Sequence, residues 1–139
     1  MTWRRKEEWV KEGKHFRVSV VHWYTDEFHG ETFYYPRKEK WNIYLYFYKN
    51  HPFFDKFTSE DIYAHEQPEP VGLHGGITFY RAHKDKKNEI ICHEIGCDYG
   101  HYRDDRFETM VTKEDAEEIF CDAEYAFEIL QNMSNVEPS

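Results

Sequence analysis

Cysteine is scarce in this chain of 139 residues: Cys92, Cys97 and Cys121 make an odd count with no C-x-x-C pair. That excludes a disulfide framework and a cysteine-based zinc site, because Cys92 and Cys97, given their spacing, fall on opposite faces of a strand. Long apolar runs are missing too, and the opening MTWRRKEEWV has no apolar stretch of the signal-peptide kind. Neither a membrane span nor a secretory leader is expected. Positive charge is in deficit, with 18 Lys and Arg against 27 Asp and Glu for a formal net charge of −9. A general nucleic-acid binder needs a basic face for counterion release and is excluded on that ground. The basic clusters that do occur, Arg4-Arg5-Lys6, Arg37-Lys38-Glu39-Lys40 and Lys84-Asp85-Lys86-Lys87, are short and are expected as solvated charges near turns or ends. Together these absences place the protein in a reducing cytoplasm.

Aromatic side chains are plentiful by contrast: four Trp, eleven Tyr and eleven Phe make 19 % of the chain, beside 32 % charged residues. That is a globular composition, and the length suits a single domain over 1–139 with one core. Pro and Gly punctuation divides the chain into short strands before one helix, with no internal repeat. An N-terminal strand region covers 1–40, and the sheet with its site-bearing hairpin covers 41–111. Phe16 to Trp23 and Trp41 to Tyr48 alternate as strands do. In the second, Ile43, Leu45 and Phe47 face one way and Asn42, Tyr44, Tyr46 and Tyr48 the other. This tyrosine ladder is either sheet packing or one wall of a binding surface. Lys49 to Pro70 is an ordered excursion broken by prolines, with a helical turn at Ser59-Glu60-Asp61-Ile62. Gly76 to His83 and Asn88 to Asp98 form an antiparallel pair across Lys84-Asp85-Lys86-Lys87, in which His83 and His93 could face each other.

From Thr112 the period becomes helical, with Thr112 and Asp115 as a capping pair and Ala116, Ile119, Phe120, Ala123, Phe127 and Leu130 on one stripe. The fold class expected is α+β: an antiparallel sheet of about four or five strands packed by one long C-terminal helix over 112–133. The outer side of that helix carries Glu114, Asp115, Glu117, Glu118, Asp122, Glu124 and Glu128, with no Lys or Arg before Gln131. It is a solvated face or a docking surface for a basic protein, and the first reading is preferred.

Residues that could carry chemistry concentrate at the open end of the hairpin. His74-Gly75-Gly76-Ile77-Thr78 opens one strand, and Gly96-Cys97-Asp98-Tyr99-Gly100-His101-Tyr102-Arg103-Asp104-Asp105 closes the other. Adjacent glycines let backbone N–H groups approach an anion, and His101 or Arg103 would add hydrogen bonds. Tyr44, Tyr46, Tyr99 or Tyr102 could cover a base or sugar. The candidate ligand set is therefore His74, Gly75, Gly76, Asp98, His101, Arg103 and Asp104. His74, Asp98 and His101 would also suit a divalent metal, with Asp104 or Asp105 as a further ligand or supporting partner. No H-E-x-x-H motif and no Walker loop accompanies them. A structural role, with His74 and Asp98 tying the hairpin mouth to neighbouring loops, is the competing reading.

The order His51-Pro52, His74-Gly75-Gly76-Ile77-Thr78 and Ile95-Gly96-Cys97-Asp98 with His101 and Asp104 resembles a family of small bacteriophage and prophage proteins. Its members carry an H-P turn, an H-G-G-[IL]-T strand opening and a G-F-D-C-x-H-like segment before an acidic C-terminal helix, and the similarity covers Trp41 to Leu130. Cys97 stands where that family has an aromatic residue, and Tyr99 where it has cysteine. The resemblance implies an accessory protein that counters host defence in the cytoplasm of an infected bacterium. Three functions fit. The preferred one is a sponge that sequesters a small anionic, nucleotide-derived signalling ligand. The others are a metal-assisted hydrolase of such a signal, and an acidic inhibitor that blocks a basic defence protein such as a CRISPR effector. No nucleophile-and-base motif is present, so binding is expected rather than catalysis, with no committed cofactor, no membrane partner and self-association left open.

Overall fold

The computed structural model describes residues 3–25, 38–59, 62–101 and 103–135. Its strands are β1 (Arg4–Gly13), β2 (Phe16–Thr25), β3 (Lys38–Tyr48), β4 (Phe79–Lys84) and β5 (Ile90–Asp98), followed by the helix α1 (Glu117–Asn135). The strands form one antiparallel sheet in the order β1-β2-β3-β5-β4, so β5 lies between β3 and the edge strand β4. The class is α+β, a five-stranded antiparallel sheet packed by one C-terminal helix. The Arg4-Arg5-Lys6 cluster, expected near a turn or end, forms the exposed first three residues of β1, where a bulge falls between Arg5 and Glu7. β1 is an edge strand of sequence RRKEEWVKEG. An edge needs no apolar alternation to pair on one side, and its charges discourage pairing on the other.

Alternation gives the sheet two faces. On the first, Phe16, Val18, Val20 and His22 of β2 meet Trp41, Ile43, Leu45 and Phe47 of β3 and His93, Ile95 and Cys97 of β5, all buried. α1 lays Ile119, Ala123, Ala126 and Leu130 on this layer. Phe120 packs edge-on to Trp9 and Trp41, and Phe127 tilts against Phe16. Before the helix becomes regular at Glu117, the Asp115 N–H donates to Thr112 Oγ1 and the Asp115 carboxylate accepts from the Thr112 N–H, both at 3.1 Å. This is the reciprocal cap the sequence indicated, formed one turn ahead of the helix proper.

The excursion after β3 returns to the same face. Phe53 and Phe57 pack on Phe47, and His51 Nε2 donates to the Leu130 carbonyl oxygen at 3.1 Å. Short 3-10 turns occur at Phe54–Lys56 and Ala64–Glu66, whereas Glu60 and Asp61 of the expected helical turn lie outside the described residues. A third, Asp105–Thr109, seats Phe107 in the core. The described helical segments thus all pack on the first face. His83 and His93 do not face each other: the register pairs His83 with Cys92 and Ala82 with His93. His93 points into the core and accepts from the Tyr80 hydroxyl at 2.6 Å, and burial lowers its pKa. His83 lies on the second face, 2.7 Å from Glu94.

Candidate functional site

β4 starts at Phe79 and not at Gly76; the two glycines ahead of it form a turn with φ of +70° at Gly75 and +84° at Gly76. The Gly76 N–H donates to the Leu73 carbonyl oxygen at 2.9 Å, so it is not available to an anion as the sequence reading supposed. A Cβ on Gly75 would stand 2.3 Å from His101 Nε2, which means the His101 ring lies against this turn. His74 Nε2 donates to Asp104 Oδ2 at 2.8 Å, and the same oxygen accepts the His101 N–H at 3.0 Å. His74 also stacks on Tyr99, with ring centroids 4.4 Å apart. Burial pushes the Asp104 carboxyl up, but the hydrogen bonds from His74 and His101 outweigh it and hold the group below the usual carboxylate range. Asp98 is turned elsewhere: it accepts the Gly100 N–H at 2.9 Å and the Thr78 hydroxyl at 3.2 Å, with His101 Nε2 3.6 Å away. Arg103 occupies the following turn with φ of +74°.

The hairpin mouth therefore gathers His74, Gly75, Asp98, His101 and Asp104 in one neighbourhood, tied largely to one another. His74 and Asp98 bond to different partners. Among the described residues no group of three or more His, Cys, Asp or Glu is placed to hold a metal ion. Burial raises the thiol pKa to about 11 at Cys92 and about 12 at Cys97, so neither is a thiolate nucleophile at neutral pH.

The aromatic wall splits. Tyr99 continues the alternation of β5 onto the first face, where it is buried and its hydroxyl donates to Asp122 of α1 at 2.6 Å. It cannot cover a ligand. Tyr102 lies outside the described residues. Tyr44 and Tyr46 stand with Tyr48 on the second face, half-buried. The Tyr44 ring lies across Gly96, where a Cβ would come within 2.6 Å of it, and meets Phe79 edge-on with centroids 5.6 Å apart. Burial and the nearby Glu94 carboxylate raise the pKa of Tyr44 and Tyr46, keeping both hydroxyls protonated.

Charges of both signs surround this row, with Glu8, Glu12, Glu94 and Asp98 beside the cations. Arg17 sits 5.2 Å from the Tyr46 ring and forms a 2.7 Å ion pair with Glu12, and Arg81 pairs in register with Glu94. At the far end Trp23 is flanked by Arg5 at 5.0 Å and Lys40 at 5.3 Å, and Lys40 lies 4.9 Å from Trp3. Burial depresses the Lys40 amine, an effect that the Asp98 charge opposes. Sequence reasoning found the tyrosines of this face but missed Trp23, Lys40 and Arg17. Their convergence depends on the β2–β3 register, which alternation within either strand alone does not set.

The acidic side of α1 is partly engaged from within the molecule. Glu118 pairs with Arg106 at 2.7 Å and Glu124 with Lys11 at 2.5 Å, Asp122 accepts from Tyr99, and Asp115 serves the cap. No described helix is long and apolar enough to cross a membrane. Fold and site define a class: an α+β protein with its helix on one sheet face and an aromatic surface bearing charges of both signs on the other. Set against protein-family models, curated proteins and solved structures, the chain matches none of them.

Proposed function

We propose that the protein is a binding protein that holds a small anionic, nucleotide-derived ligand on the second face of its sheet without turning it over. The observation behind this reading is the half-buried row Tyr44, Tyr46 and Tyr48, set among Arg17, Arg81, Lys40 and Arg5 on the face opposite the described helices. Bases stack on such rings, and neighbouring cations take phosphate charge. A net charge of −9 disfavours a polyanion and leaves a ligand of nucleotide size. The hairpin mouth then acts as a support: Gly75, His101 and Asp104 fix the end of β5, and with it Asp98. In the setting implied by the phage-protein resemblance, such capture would withhold a nucleotide signal from host defence.

The test is incubation of the purified protein with a panel of linear and cyclic nucleotides, followed by heat release and mass spectrometry. Recovery of intact ligand is expected, with Tyr44→Ala and Tyr46→Ala each weakening retention about tenfold while melting stays cooperative. Retention of no nucleotide would refute the reading. Divalent-dependent turnover abolished by both Asp98→Ala and His101→Ala would replace it with the hydrolase.

A further inference from the structure

Two polar atoms on the second face are buried without a hydrogen-bond partner: Trp23 Nε1, a donor, and Asn42 Oδ1, an acceptor. Buried polar groups are rarely left unpaired, and two of opposite kind on neighbouring strands invite a partner that carries both complements. The orientation of Asn42 is fixed, because its Nδ2 donates to the Cys97 carbonyl oxygen at 3.2 Å and leaves Oδ1 as the free acceptor. The register sets Asn42 between Val21 and Asp98, with Trp23 two residues along β2 from Val21 on the same face. Across β2, β3 and β5 the order is thus a donor, an acceptor and a carboxylate. Asp98 retains acceptor lone pairs after its bonds from Thr78 and Gly100. Lys40, in register with Trp23, strengthens the donor end.

Resting on the nucleotide reading above, we infer that this row reads the edge of guanine. That edge presents an acceptor, O6, followed by two donors, N1–H and the N2 amine. O6 would accept from Trp23 Nε1 with Lys40 beside it, N1–H would donate to Asn42 Oδ1, and the amine to Asp98. Tyr44, two residues from Asn42 on the same face and lying over Gly96, offers the stacking ring. Arg5, which lies over the Trp23 ring, swings aside to open access to the indole N–H, while Lys40, over the same ring, stays beside O6. Adenine reverses the first two positions, with a donor in place of O6 and an acceptor in place of N1–H. Hypoxanthine lacks only the amine.

The experiment is calorimetric titration of the full chain with 5′-GMP, 5′-IMP, 5′-AMP and 5′-CMP. GMP is expected to bind at least about tenfold tighter than AMP or CMP, with IMP between them. Trp23→Phe keeps the ring and removes the donor, and should weaken GMP and IMP alike by about tenfold. Asp98→Asn keeps an acceptor for the Gly100 N–H, and should erase the preference for GMP over IMP while leaving IMP unchanged. Equal affinity for all four nucleotides, or a guanine preference that neither substitution alters, overturns the guanine assignment and leaves nucleotide binding standing. Binding of none of the four overturns the guanine assignment, and the nucleotide reading falls with it when the heat-release panel also retains no linear or cyclic nucleotide.

Discussion

At Gly75 two separate constraints exclude any side chain: a φ of +70° and a histidine ring that a Cβ would strike. Gly75→Val is expected to destabilise the protein by about 1–3 kcal/mol through its backbone alone, and more through displacement of His101, as measured by urea unfolding. Asp104 offers a test by pH. Its carboxyl is held below the usual range, so its share of stability is present above the ordinary carboxylate pKa and is lost as pH falls through the depressed folded value. Asp104→Asn should therefore flatten the stability curve between about pH 5 and pH 2. An acid limb as steep as that of the parent would refute the assignment. His74, Asp98, His101 and Asp104 were legible as a neighbourhood because hairpin partners are close in the chain. Their bonding was not legible. Which carboxylate meets which histidine depends on turn conformations such as the positive φ at Gly76 and Arg103, and a residue pattern does not specify those.

The helix was the most readable element, since its apolar period of three and four residues admits one buried stripe. Leu130 is fully buried on that stripe and also offers its carbonyl oxygen to His51. Leu130→Ala is expected to cost about 2–5 kcal/mol in chemical unfolding, and a smaller loss would mean that the helix packs more loosely than described. The alternation of β3 was equally plain, and the tyrosines fall where it puts them. β1 was hidden by its charge; β2 was legible as a strand from Phe16 to Trp23, but its apolar residues on both faces conceal that Trp23 belongs with Lys40 and Asn42 and not with the core. The acidic side of α1 shows the same limit, because the cations that meet Glu118 and Glu124 come from Arg106 and Lys11, distant in sequence.

Within the sheet, one seam has long reach. β1, β2 and β3 pair with sequence neighbours, as do β4 and β5, but β3 and β5 bring together residues such as Asn42 and Cys97, which are 55 apart. Closing that loop carries the larger entropy cost, so the seam is expected to form after the local hairpins. Asn42 stands on one side of it and Asp98 on the other. On the proposed reading, a nucleotide that touches both would recognise only the finished fold and would help to keep the seam shut. Saturating nucleotide at about a hundred times its Kd would add about 2.7 kcal/mol of stability, and hydrogen exchange should slow most at β3 and β5 and least at the β1 edge. Uniform protection of all strands would contradict this. On that same reading, the order in which the chain assembles would be a safeguard: a half-folded copy would have its tyrosines in place but no complete row, and so would not occupy itself with ligand before it is whole.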